Sequence, residues 1–365
     1  MLAGKGSFAF SVAGVAVATM LLSFTIALYR GWSERLTAFI EDTNADLWVV
    51  QKGAESFFTV SVVNNRNVAW IGALEGVERL STLAGKTIRI HVGEEPHEVL
   101  ILGFDPEVEG SKVGGLGGPL RMERGSPVPK AGEIIIDDIL AQKAGLDIGD
   151  ELQAGNATFK VAGISSGGNL GVTIVSFVTA EDANRLIGDY PIVNYILVNV
   201  APGQESAVTD AIRKANPALD VFPREEFAAS SRQVLRQTIL PVLGVVVVLV
   251  FAVGAIVVAL TIYTATIEKE REFGVLKALG TPGRSLFGVV LQQSLVCCAL
   301  GFVLGEFAAV FAAWAAKQAV PQFVTLIKPA DSLFVLLAVL FMGAVAAWLP
   351  IQRINRVDPL TVFKA

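Results

Sequence analysis

Cysteine is nearly absent from the sequence: among 365 residues only Cys297 and Cys298 occur, side by side within an apolar run. Two adjacent cysteines supply no disulfide framework, so any large domain must rest on its own hydrophobic core. Histidine is equally scarce. His91 and His97 flank Glu94 and Glu95 in what reads as a solvated hairpin rather than a metal site. No nucleophile-base-acid set is legible around them, which argues against a hydrolytic enzyme. A nucleotide site is also missing. Lys5, in the GKGS of residues 4–7, has neither the leading glycine of G-x-x-x-x-G-K-[ST] nor a strand before it. Catalytic residues, resident metals and cofactors are therefore not expected of this chain, nor is a nucleic-acid partner.

Charge is missing from four long stretches: residues 6–29, 237–267, 285–305 (continuing past Glu306 to 316) and 332–352. Each reaches the roughly 20 residues that cross a hydrocarbon layer of about 30 Å as a helix. Mean hydropathy is +0.57 and the hydrophobic fraction is 53%, both high for a soluble chain. The first run is longer than a signal-peptide core and lacks a small-x-small cleavage site before Tyr29, so it reads as a retained anchor. The chain is thus an α-helical membrane protein with four transmembrane helices. A large mixed α+β domain is expected between the first and second of them.

The charges that remain decide orientation. Residues 31–236 hold 18 Lys+Arg against 28 Asp+Glu, a net of −10, and the rest of the chain holds 11 against 6, a net of +5. Lys269, Arg271, Lys277 and Arg284 crowd the connection at 268–284, and Arg353, Arg356 and Lys364 mark the C-terminus. The positive-inside bias puts both in the cytoplasm. Both termini then lie inside, and residues 31–236 form an extracytoplasmic domain. The resulting division is a first transmembrane helix at 1–30, the outer domain at 31–236, and a three-span permease region at 237–365. Tyr29, Trp32 and Trp314 fall where interfacial aromatics belong on this arrangement.

Within the outer domain, strand-like runs rich in β-branched and aromatic residues occur at 47–50, 87–91, 98–104, 133–136, 158–164, 173–178 and 195–200. Helical patterns occur at 139–144, 180–187 and 205–215, the last stopped by Asn216 and Pro217. The segment KVGGLGGP at 112–119 reads as a glycine-rich loop. Residues 225–236 look helical and run straight into the second span. Its 31 uncharged residues would be about 46 Å long, more than a bilayer core needs, so a continuous helix is expected to project into the outer domain.

The segment IEKEREFGVLKALGTPGR at 267–284 places Phe273, Leu276 and Gly280 at i, i+3 and i+7, with Leu279 beside them. One narrow apolar stripe thus faces away from Glu268, Glu272 and Lys277, and Gly-Thr-Pro-Gly stops the helix. This segment resembles the R-x-E-[FIL]-G-[VI]-L-[RK]-A-L-G signature of the FtsX-like, MacB-type ABC transporter permease family, although Arg271 here stands directly before Glu272. The ending QRINRVDPL at 352–360 and the passage from EIIIDDILAQKAGLDIGD at 133–150 to FKVAGI at 159–164 are similar to further family motifs. Members usually carry a basic amphipathic helix before the first span. Here only residues 1–5 precede it, so either the start is truncated or this branch lacks the element.

The resemblance implies a non-catalytic permease subunit that works with a dimeric cytoplasmic ABC ATPase, which holds the ATP and magnesium. Residues 268–280 are similar to the helix that docks on that ATPase. Phe273, Leu276 and Leu279 would fill a pocket there, Gly280 would end the helix, and Glu268, Arg271, Glu272 and Lys277 would fix register at the rim. A second copy of the permease in a bacterial inner membrane and a membrane-fusion protein or other envelope partner are further implied. Gly301 and Gly305, and Gly14 with Ala18, let helices approach closely, within one subunit or between two.

Glu306 is the sole carboxylate inside a long apolar run, about 31 Å from Ser285, and Met20 would reach a similar depth on the first span. Both are candidate substrate contacts, and a thioether with a carboxylate suits a haem iron. The stretch ADLWVVQKG at 45–53 resembles the HrtB/DevC-like branch of the family, which makes haem a candidate substrate. The expected activity is export or extraction of a lipophilic or amphipathic substrate. The alternative is an FtsX-like transmitter that activates an extracytoplasmic cell-wall hydrolase without moving any solute.

Overall fold

A computed structural model describes residues 3–92, 95–108, 110–167, 173–188, 193–268, 275, 282–319 and 324–348. They fall into two compact units, one of apolar helices and one spanning Trp32–Gln237.

The Trp32–Gln237 unit is built on a mostly antiparallel ten-stranded sheet. In chain order its strands are β1 (Leu47–Gln51), β2 (Val77–Val92), β3 (Glu95–Phe104), β4 (Met122–Gly125), β5 (Glu133–Asp137), β6 (Glu151–Ala154), β7 (Ala157–Ser165), β8 (Ile174–Thr179), β9 (Tyr195–Val200) and β10 (Leu219–Pro223). They lie in the order β10-β1-β9-β2-β3-β8-β5-β7-β4, with β6 paired to β2 and β7. Strand periodicity sends alternate residues to opposite faces. On β1, Trp48 and Val50 point to one core and Leu47 and Val49 to another; on β9, Tyr195 and Leu197 oppose Ile196 and Val198.

Four short helices cover one face: α2 (Arg66–Gly72), α3 (Asp138–Ala144), α4 (Ala180–Ile187) and α5 (Glu205–Ala215). Ile71 of α2 and Val208 and Ile212 of α5 pack there at one end of the sheet, and Leu140 of α3 and Ala183 of α4 pack at the other. The caps explain the starts of two of these helices. The Asp137 side chain accepts from the Ile139 N–H, and Thr179 accepts from that of Asp182. Gly145, at φ 64°, ends α3 in the left-handed conformation that glycine adopts without strain.

The opposite face is covered by the ends of two much longer helices, α1 (Ala3–Asp42) and α6 (Arg224–Glu268). Phe39 and Ile40 of α1 and Phe227 and Ala228 of α6 are buried against Trp48, Phe177 and Tyr195. Trp48 stacks on Phe227 at 5.0 Å between ring centroids and meets Phe39 edge-on at 6.4 Å. Trp32, the first residue of this unit, is partly buried against this core. The reason lies in the helix: α1 does not stop at the end of its apolar run but continues over Arg30, Glu34 and Arg35 to Asp42, carrying Trp32 into the sheet unit.

The helical unit contains the first part of α1, the rest of α6, α7 (Gly283–Ala319) and α8 (Pro329–Ala346). All four helices are long and apolar enough to cross a membrane. Their packing depends on missing side chains. A methyl group added at Gly301 or Gly305 of α7 would lie 2.5 Å from Val15 or Thr19 of α1, and one at Gly343 of α8 would lie 2.5 Å from Cys298 Sγ. Small residues therefore set the helix spacing within one chain, as apolar helices in lipid require. The Ser294 hydroxyl donates to the Gly343 carbonyl at 2.7 Å, joining α7 to α8. Pro241 sits inside α6, where it can donate no backbone hydrogen bond to the preceding turn.

Candidate functional site

Polar side chains are costly among apolar helices unless they find one another, so a polar cluster there marks a site. One such cluster lies in the helical unit, where α1, α7 and α8 meet. Glu306 of α7 accepts from the Ser23 hydroxyl of α1 at 2.6 Å through one oxygen, and from the Ser332 hydroxyl of α8 through the other. Arg30, seven residues beyond Ser23 and so on the same face of α1, grips Asp331 of α8 with two parallel hydrogen bonds of 2.5 Å. Asp331 is 15% exposed and lies in the first turn of α8, where the free N–H groups of a helix start favour negative charge. Pro329 opens that turn, its missing N–H costing nothing at such a position. The Leu326 N–H donates to the Ala27 carbonyl at 3.0 Å, tying the segment before α8 to α1 between the two polar contacts.

This cluster therefore links three helices through one carboxylate and one ion pair. Glu306 is legible in the sequence as a lone acid in an apolar run. Ser23, Arg30, Asp331 and Ser332 are not, because serines are common in apolar helices and the charged pair sits just outside the uncharged runs. Met20 is half-buried on α1, three residues before Ser23. Thr19 and Gly305, the residues immediately preceding Met20 and Glu306, meet where α1 and α7 cross.

Of the segment expected to dock on an ATPase, Glu268 is the last residue of α6. Arg271, Glu272, Phe273, Leu276, Lys277, Leu279 and Gly280 lie outside the described residues.

The sheet unit holds a cleft of about 240 Å³ between Asp42, at the end of α1, and the loop that follows β3. The glycine-rich segment at 112–119 forms one wall. It is packed rather than loose: Leu116 is buried, and the Gly114 N–H and Lys112 carbonyl bond the two backbone groups of Leu80. Near the far end of β5, Asp137 is fully buried. One of its carboxylate oxygens caps α3 and the other has no hydrogen-bond partner. Burial pushes its pKa up to about 7, with the Asp138 charge adding to the rise, while the Ile139 N–H and Arg35 of α1 oppose it. Among the described residues no group of three or more His, Cys, Asp or Glu side chains could hold a metal ion.

Comparison with known proteins matches two family models. Residues 8–215 match the MacB-like periplasmic core domain, and residues 244–359 match the FtsX-like permease C-terminal region. The chain is 25% identical over 350 residues to an uncharacterized ABC transporter permease of Mycobacterium bovis, covering 94% of this chain and 91% of that one. It is also 25% identical over 166 residues to the macrolide export ATP-binding/permease protein MacB of Agrobacterium fabrum, covering 44% of this chain and 25% of that protein. Among solved structures, the periplasmic region of MacB from Actinobacillus actinomycetemcomitans aligns with 51% of this chain and 92% of its own, at 10% identity and a TM-score of 0.40.

Proposed function

Because the chain belongs to the ABC transporter permease family that joins a MacB-like periplasmic core domain to an FtsX-like permease region, we propose that it is the membrane subunit of an ATP-driven exporter for lipophilic or amphipathic molecules. The family implies an ATPase partner, and its permeases are generally non-catalytic. Residues 268–280 are the docking helix for that partner, on the cytoplasmic side with both termini, and the sheet unit lies outside. The permease works as two copies with two ATPase subunits, in a bacterial inner membrane, with a membrane-fusion protein or similar envelope partner.

One observation carries the transport reading: the cluster around Glu306. A carboxylate held by two hydroxyls at the junction of three apolar helices gives a polar headgroup a place to bind while its apolar part remains among side chains of lipid-like character. Export then requires α1, α7 and α8 to separate and exchange those hydrogen bonds for substrate contacts. Haem is our specific candidate, with Met20 and Glu306 toward its iron. Its support is that both residues follow directly on the Thr19–Gly305 contact of α1 and α7.

Co-purification with the partner ATPase, followed by a screen for ligands that stimulate its turnover, tests the proposal. Stimulation by haem that is lost in Glu306→Ala and Met20→Ala supports the site, and full stimulation in both variants removes it. Turnover indifferent to every amphipathic ligand, with the complex intact, would replace export by the signal-transmitting alternative. Leu276→Asp should abolish complex formation; an intact complex would remove the docking face.

A further inference from the structure

Counting charges around the junction of α1, α7 and α8 leaves one over. Arg30 and Asp331 cancel each other through their two parallel hydrogen bonds. Glu306 has no such counterpart. Among the described residues no ion pair reaches it, and its partners are the neutral hydroxyls of Ser23 and Ser332. Both hydroxyls donate, one to each oxygen, which is the geometry of a carboxylate; a carboxylic acid would donate from one oxygen itself. The Thr19 hydroxyl, one turn before Ser23 on the same face of α1, is buried and has no hydrogen-bond partner. Two carboxylates against one guanidinium leave the cluster with a net charge of −1, surrounded by oxygen lone pairs.

Hydroxyls satisfy the hydrogen bonding of a carboxylate but bring no opposite charge, and an unmatched charge among apolar helices is costly. A ligand carrying positive charge offsets that cost. A neutral headgroup leaves it in place, and an anionic one adds repulsion. Glu306 is half-buried, so one flank of its carboxylate is open. Val303, three residues before it, and Val310, four residues after it, share its face of α7 and are exposed by 48% and 52%. They give an apolar body a surface to lie on, one helical turn to either side of the charge.

We propose that Glu306 selects cations: the substrates taken at this junction carry an organic onium centre, a protonated or quaternary nitrogen or its phosphorus analogue, on an apolar body. The inference rests on the Glu306 cluster being the substrate site and adds to it a rule of charge. Haem obeys that rule only through its iron, since its propionates carry the opposite sign.

Tetraphenylphosphonium and tetraphenylborate are nearly identical in shape and opposite in charge, so the pair isolates the sign. Equilibrium dialysis of the full chain in a neutral detergent should show saturable phosphonium binding at least about tenfold tighter than borate binding. Glu306→Gln, which keeps the size of the side chain, should weaken phosphonium binding by about tenfold and bring the two ions close together. Glu306→Asp, which keeps the charge, should retain the preference. Borate bound as tightly as phosphonium by the unaltered chain, or no saturable phosphonium binding there, overturns the inference without recourse to any variant. Equal binding of both ions, lost in Glu306→Ala, would leave the site standing and remove the rule of charge. A phosphonium preference untouched by Glu306→Gln and Glu306→Ala would remove the site itself, and the rule with it. Metal-free protoporphyrin, an anion with the apolar frame of haem, should fail to displace phosphonium, and displacement would again overturn the rule.

Discussion

Asp137 combines complete burial, a capping hydrogen bond and an oxygen left without a partner. Its raised pKa of about 7 fixes the sign of a pH effect. An unfolded aspartate titrates near 3.9, so between about pH 4 and pH 7 the folded state binds the extra proton. Stability from this site is full below about pH 4, falls as pH rises through 7, and is then level. A tenfold difference in proton affinity between the folded and unfolded chains corresponds to about 1.4 kcal/mol. Asp137→Ser, which keeps a capping oxygen and removes the charge, should raise the thermal midpoint at pH 8 and leave it nearly unchanged at pH 4. Tryptophan fluorescence of the purified chain would follow both. The Arg30–Asp331 pair permits a second test. Arg30→Met alone leaves a largely buried carboxylate without its guanidinium and should cost about 1–3 kcal/mol. Adding Asp331→Leu should recover much of that in the same unfolding assay. Neither pair nor cap is legible in the sequence. Arg30 and Asp331 are 301 positions apart, and nothing local in an aspartate at a strand end distinguishes a buried cap from an exposed one.

Among the elements, legibility follows the strength of the periodic signal. Strand β9 stands where its run of β-branched and aromatic residues puts it, buried on both faces, and helices α4 and α5 stand where helical spacing and their marked ends put them. Strand β2 is the instructive miss. The sequence suggests only residues 87–91, yet the strand runs over Val77–Val92, since its first half, VERLSTLAGK, mixes charge, glycine and small residues. Pairing with β9 on one side and β3 on the other makes it a strand. Strands β4, β6 and β10 are four or five residues long and lack the run of three or more apolar residues that marks β1 and β5 at that length. The apolar helices are plain from hydropathy alone, whereas the extension of α1 to Asp42 is hidden by its charges. Helix packing in lipid offers a direct test. Gly305→Leu should drive a side chain into Thr19 and Ala16 and lower the melting temperature in detergent, while Gly244→Leu, with nothing within 4 Å, should not. Equal effects at both positions would show that the α1–α7 contact is not what the substitution reports.

For the whole molecule, charge asymmetry bears on orientation: residues 31–236 carry a net of −10 and the rest of the chain +5. The acidic sheet unit and the basic connection at 268–284 should label from opposite faces of the membrane. In intact cells of a producing strain, a membrane-impermeant maleimide should modify Asp147→Cys and spare Lys277→Cys until the membrane is opened. Modification of Lys277→Cys in sealed cells would leave no cytoplasmic surface for an ATPase to hold.

The aromatic stack at the centre of the sheet unit ties the ends of two long helices to a single strand. Trp48 is flanked by Phe39 from the end of α1 and Phe227 from the start of α6, and its strand is hydrogen-bonded on both sides. The two helix ends thus meet through that indole and, beside it, through the Arg232–Glu41 ion pair at 3.1 Å. Trimming that indole to alanine would hollow out the place where both helices and the sheet meet, at a cost of about 3–5 kcal/mol in the unfolding of the purified chain.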